Sequence, residues 1–222
     1  MANATGFNEA KVNDCIAEYN SQAKNVLKSV RDGFNDVLKA LADNWGTQEG
    51  VTFVTDTFVP DLRKTGEEVA ETIQQIGQVI KTTGEQQAAD TKNAVSINAP
   101  QKPELGELKN NMKDKLGNGF VGVYDDLKSK VASAHANLVK DLDSALGKMQ
   151  SQIQGKTDKA FQESGKADQV SAQIVTFIQQ IKQAIDAAFA TLQTNIDTFT
   201  ADADTYAHQI QQAGLRSGAG SS

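Results

Sequence analysis

Apolar residues recur along the chain at alternating steps of four and three, the spacing that lines up one face of an α-helix. The pattern defines four stretches. In the first, from about Asn8 to Asn44, the stripe is Val12, Ile16, Tyr19, Ala23, Val26, Val30, Val37 and Leu41, widened by Phe34, Leu38 and Trp45. Thr5 or Asn8 offers a side-chain cap for its start. In the second it is Val51, Val54, Phe58, Leu62, Thr65, Val69, Ile73, Ile76 and Ile80. Between them lies Trp45-Gly46, and Gly46 and Gly50 are placed where a helix-ending turn favours left-handed backbone. Pro60 predicts a kink or break near Phe58, because proline lacks the amide donor and crowds the preceding turn. Gly66 and Gly77 weaken the second helix, which therefore depends on packing.

From about Gly84 to Glu104 the periodicity dissolves, and the prolines of Asn-Ala-Pro-Gln-Lys-Pro-Glu mark residues 91–104 as a linker. The third stretch carries Leu116, Phe120, Val123, Leu127, Val131, Ala134, Leu138, Leu142, Ala145, Met149 and Ile153, then a loop from Gly155 to Gly165 containing Phe161. The fourth carries Val170, Ile174, Phe177, Ile181, Ile185, Ala188, Leu192, Ile196, Phe199, Ala203, Tyr206 and Ile210. Shifting the second stretch by 116 positions lays its stripe on the fourth, so that Val54 meets Val170 and Ile80 meets Ile196, with Trp45 falling on Phe161. Any two amphipathic helices align in some register. Here, however, the order of helix, aromatic-marked turn and helix is shared as well. A hairpin cannot bury such a stripe alone, whereas two hairpins face to face can. The expected fold is therefore all-α: long antiparallel helical hairpins packed as a four-helix bundle, with a first hairpin at 1–90, a linker at 91–104, a second hairpin at 105–213 and a flexible tail at 214–222.

Composition narrows the functional classes. With 22 basic and 28 acidic residues among 222, the net charge is −6, which disfavours binding to nucleic acid. The single cysteine, Cys15, leaves no internal disulfide. No run approaches the ~20 apolar residues of a membrane span, and the N-terminus lacks the basic-then-apolar order of a signal peptide. The acidic balance also disfavours association with a membrane surface, where amphipathic helices carry Lys and Arg.

Chemistry-bearing constellations do not assemble. His135 and His208 are preceded at three residues by Ala132 and Thr205, not by the Glu of di-iron bundles. Asp204 and His208 share a face, the ordinary spacing of a surface pair. Gly155-Lys156-Thr157 resembles the end of a phosphate-binding loop, but Gln150 stands where its first glycine belongs. Cys15 beside Asp14 is poorly placed to form a thiolate. No catalytic residue, metal or cofactor is expected. Trp45, the sole tryptophan, suits either a plug closing the end of the bundle or an anchor for another protein.

The first half resembles the WXG100, or ESAT-6-like, family, on Trp45 and Gly46 in Asn-Trp-Gly-Thr-Gln-Glu-Gly between two long amphipathic stretches. The likeness covers about residues 7–90 and extends through the repeat to about 105–212, with Phe161 in place of the tryptophan. It implies a non-enzymatic protein exported by a bacterial type VII secretion system without a cleaved signal peptide. Such a protein is cytoplasmic before export and secreted or at the cell surface afterwards. Its partner would be the secretion machinery or a cognate helical protein, and Trp45, Gly46 and Phe161 are the candidate recognition residues. Two features depart from the family: Gly follows Trp directly, and the family's Tyr followed four residues later by Asp or Glu is here Tyr206 then Ile210. The fusion would make intramolecular a pairing that the family achieves by dimerisation, giving a monomeric bundle or a homodimer. The alternatives are an amphipathic lipid- or granule-surface protein and a coiled-coil scaffold.

Overall fold

The computed structural model describes residues 7–115 and 124–218. Helix α1 spans Glu9–Asn44 and begins at Asn8, whose side chain accepts from the Lys11 amide at 3.0 Å. After the Trp45–Gly46 turn, Thr47 caps α2, Gln48–Phe53. A π-helical turn, Val54–Phe58, leads into α3, Val59–Asp90. A 3₁₀ turn at Met112–Lys115 precedes α4, Tyr124–Phe161, and a second at Gln162–Ser164 joins it to α5, Ala167–Gly218. All described elements are helical. None of the described helices is long and apolar enough to cross a membrane.

The four long helices form one bundle, as the periodicity predicts. Lys156 reaches Asp14, and Gly33 lies under Leu138, so α1 and α4 run antiparallel. Lys166 pairs with Asp90, and Phe58 meets Phe189, so α3 and α5 are antiparallel too. Lys128–Asp197 and Lys182–Asp143 set the same relation for α4 and α5. The two hairpins thus pack head to tail. The Trp45 turn lies at one end of the bundle and the Phe161 turn at the other, separated by most of a helix that is about 54 Å long at 1.5 Å per residue. The predicted stripes of the first two stretches are buried throughout. On the second hairpin the core face departs from the predicted stripe at three turns, where Leu146, Ile178 and Phe189 are buried while the expected Ala145, Phe177 and Ala188 are only partly so; the side chains of Ala203, Tyr206 and Ile210 lie outside the described residues. Leu116, Phe120 and Val123 lie outside the described residues.

Three local outcomes differ from the sequence expectation. Pro60 does not break the helix. The turn before it widens, and the Val59 amide bonds back five residues to the Val54 carbonyl. The wider turn eases the clash that the proline ring would make with the carbonyl four residues earlier. Residues 155–161, expected in a loop, belong to α4, and the reversal is confined to a short turn in which Gly165 supplies a φ of +69°. Gly214–Gly218, assigned to the tail, is the last part of α5, and residues 219–222 lie outside the described set.

The largest difference concerns residues 91–104. Because α3 and α4 run in the same direction, the chain between them must return along the whole bundle. It does so as an extended strap in the outer groove between α1 and α3. Asn13, Asn20 and Asn35 on α1 accept the backbone amides of Asn98, Gln101 and Lys109, each at 2.8 Å. The Tyr19 hydroxyl donates to the Gln101 carbonyl at 2.9 Å, and Lys102 pairs with Glu71 at 3.0 Å. Ile97, Pro100 and Leu105 rest on Gly84, Gly77 and Gly66 of α3, where any side chain would collide with them. These glycines, costly to a helix in isolation, are the notches that let the strap lie close.

Gly77→Leu is expected to destabilise the fold by about 1–3 kcal/mol, since the new side chain would overlap Pro100 and Tyr19. Gly147→Ala, where an added Cβ meets nothing within 4 Å, is expected to stabilise by about 0.5–1 kcal/mol. Urea unfolding followed by circular dichroism measures both.

Candidate functional site

Of the three residues singled out by sequence, Trp45 and Gly46 share one end of the bundle and Phe161 occupies the other. The Trp45 indole is almost fully buried. It lies against the first turn of α2, where a Cβ on Gly50 would come within 2.6 Å of Cδ1. Gly50 is therefore needed for lack of a side chain, not for left-handed backbone. Among the described residues positive-φ glycines occur only at Gly106 and Gly165, so neither Gly46 nor Gly50 makes the left-handed turn expected of it. The Thr47 hydroxyl accepts the Gly50 amide at 3.2 Å and fixes the helix start beneath the ring.

Trp45 begins a continuous run of rings. It packs on Phe199 of α5 at 5.0 Å between centroids and on Phe53 at 5.7 Å. Phe53 stacks on Phe58 at 6.2 Å, and Phe58 meets Phe189 edge-on. Phe189 also touches Phe34 of α1 and lies flat against the His135 imidazole at 4.2 Å. Helices α1, α2, α4 and α5 and the π turn all contribute rings to this end. Phe189 is the hub, and the sequence reading missed it. The heptad register places Ala188 on the stripe, and only the occurrence of two apolar positions side by side on α5 signals a broader face. The indole N–H is buried without a hydrogen-bond partner among the described residues.

Phe161 is fully buried, and its carbonyl accepts the Ser164 hydroxyl at 2.8 Å. It seals the far end and presents no ring to solvent. Tyr206 and His208 lie on α5 among residues whose side chains are not described.

The remaining titratable groups are dispersed. Among the described residues no three of His, Cys, Asp and Glu come together as a metal site would require. Lys156 and Thr157 are helical, and Thr157 is buried with its hydroxyl on the Gln154 carbonyl. His135 lines an open groove between α4 and α5. Burial lowers its pKa below the ordinary 6.5, and the Asp186 carboxylate partly opposes this. Cys15 is enclosed within α1's core face. Burial raises its thiol from 9.0 to about 12, Lys156 pulls it down, and Asp14 adds to the rise. A thiol so placed keeps its proton and is a poor nucleophile.

The chain matches no known family model, no curated protein and no solved structure.

Trp45→Ala is expected to cost about 3–5 kcal/mol in urea unfolding, and Trp45→Phe clearly less, because a ring there still bridges Phe53 and Phe199. Cys15 is expected to resist thiol reagents at pH 8 in the folded protein and to react at once in denaturant. Its pH linkage has a definite sign. The unfolded thiol ionises near 9.0 while the folded one holds its proton to about 12, so this contribution is complete below pH 9 and lost as pH rises through that interval. Cys15→Ala is expected to flatten the decline over the same interval.

Proposed function

We propose that this protein is a non-enzymatic adaptor or exported substrate of a type VII-like secretion system, recognised through one end of its helical bundle. The observation that carries the reading is the contact between Trp45, at the turn of the first hairpin, and Phe199, on the last helix of the second. The turn that bears the Trp-Gly pair and the C-terminal helix of the chain thereby form a single composite end. In the WXG100-like family two such hairpins come from separate chains. Here α1 with α2–α3 and α4 with α5 pack head to tail within one chain, and that packing lends the resemblance architectural support.

The mode of recognition is by surface. Trp45 and Gly46 are both buried and act by shaping the end. A partner would meet the exposed flank of the turn, Gln48 and Glu49, beside α5. The dispersal of titratable groups and the buried state of Cys15 favour recognition over catalysis.

Export decides the reading. The protein, expressed in a Gram-positive host with and without its type VII secretion ATPase, is expected in the culture medium only when the ATPase is present. Equal amounts outside both strains would overturn the proposal.

A further inference from the structure

Two ion pairs cross from α4 to α5, Lys128–Asp197 at 3.0 Å and Lys182–Asp143 at 2.6 Å. His135 and Phe189 lie midway between them. His135 is seven residues after Lys128 and eight before Asp143, and Phe189 is seven after Lys182 and eight before Asp197. Here the helices are bridged by a ring contact, the imidazole lying flat on Phe189 with 4.2 Å between centroids and 14° between planes. Phe189 is buried and also meets Phe34 and Phe58. The imidazole is thus the last ring of the aromatic cluster on the groove side. Its Nε2 is buried and has no hydrogen-bond partner among the described residues.

We propose that His135 is an acid-sensitive latch between α4 and α5, lying on Phe189 when neutral and leaving it when protonated. This inference does not depend on the export reading. A neutral imidazole with its proton on Nδ1 leaves Nε2 as a bare acceptor, and the ring behaves as an aromatic surface. A second proton turns Nε2 into a buried donor with nothing to receive it and spreads a full charge over a ring packed against apolar neighbours. Rotation towards the groove relieves both costs, because water and the Asp186 carboxylate lie on that side. The face of Phe189 attracts a cation too, but less than a tryptophan face does, and it offers the N–H groups no lone pair.

The surroundings leave the imidazole as the group that responds. Asp186 of α5 is the charged residue that acts on it, and it favours the protonated form. The other residues lining the groove are uncharged. Lys182, one turn before Asp186, is engaged by Asp143, and Lys128 by Asp197. Helix α1 reaches the cluster through Phe34, an uncharged ring. Burial outweighs Asp186 and holds the folded imidazole below the ordinary 6.5. The unfolded ring takes its proton near 6.5, so the contribution of the stack is complete above that pH and is lost as pH falls below it through the folded value.

The test is a pH titration of the intact, isotope-labelled chain by NMR, with His208→Gln used to assign the two histidines. His135 is expected to titrate below 6.5, and the cross-peaks between its ring and that of Phe189 to vanish with the same midpoint. Amide protection over residues 186–192, corrected for the intrinsic pH dependence of exchange, is expected to fall several-fold from about pH 7.5 to about pH 5. His135→Phe keeps a ring on Phe189 with nothing to protonate, and is expected to abolish that fall. A midpoint at or above 6.5 would overturn the inference, as would cross-peaks that persist in the imidazolium form. So would an equal fall in His135→Phe, which would assign the loosening to carboxylates. The titration and the cross-peaks are read on the native His135, so a His135→Phe variant that fails to fold does not remove the test.

Discussion

Each half of this chain carries apolar faces too broad to be covered within its own hairpin. The whole architecture follows from satisfying both stripes at once. The most extensive seam is between α1 and α4, and along it Gly33 lies under Leu138. Helices approach closely only where one side offers no side chain, and a closer approach brings more atoms into van der Waals range. Once α1 and α4 are antiparallel, α3 and α4 must run in the same direction, and the connection between them must cover the bundle's length. The strap, its asparagine contacts and the glycine notches beneath it are consequences of that one seam.

Aromatic residues are few, and they are concentrated. Trp45, Phe34, Phe53, Phe58, Phe189 and Phe199 gather at one end, while the opposite end is closed by Phe161. Large rings fill the extra volume that a widened turn creates, and the π turn at Val54–Phe58 places Phe58 between Phe53 and Phe189. This concentration ties both hairpins together at the Trp45 end more firmly than aliphatic layers would, since ring pairs add to simple area burial.

The helices and their core faces were legible because burial on one side of a helix leaves a periodic trace. Every stripe residue named for α1 and for the α2–α3 stretch is buried. Legibility ended where the signal was not periodic. Residues 91–104 read as a linker because proline and asparagine mark loops. Nothing local reveals that Asn13, Asn20 and Asn35, some eighty positions earlier in sequence, hold their backbone. The glycines of α3 contained the missing clue, being expensive in a helix unless something must come close. Trp45 and Phe161 stood out in the sequence as the aromatic residues at the two hairpin turns. Their burial and their separation at opposite ends depend on how the hairpins pack, which a single stripe does not encode.

The strap also bears on how the protein comes into being. Its polar contacts with α1 join residues separated by 81 to 85 positions on its N-terminal side and by 74 near its end, and its anchoring is complete by about residue 115. A chain synthesised from its N-terminus can thus lash α1 to α3 before α4 emerges from the ribosome. The half-made molecule would then hold its reversed helices in register, leaving the bare faces of α1 and α3 as a ready template on which the later pair condenses. Distant contacts are ordinarily slow to find because the intervening chain must first give up its freedom. A lashing that closes early divides that search into two shorter ones.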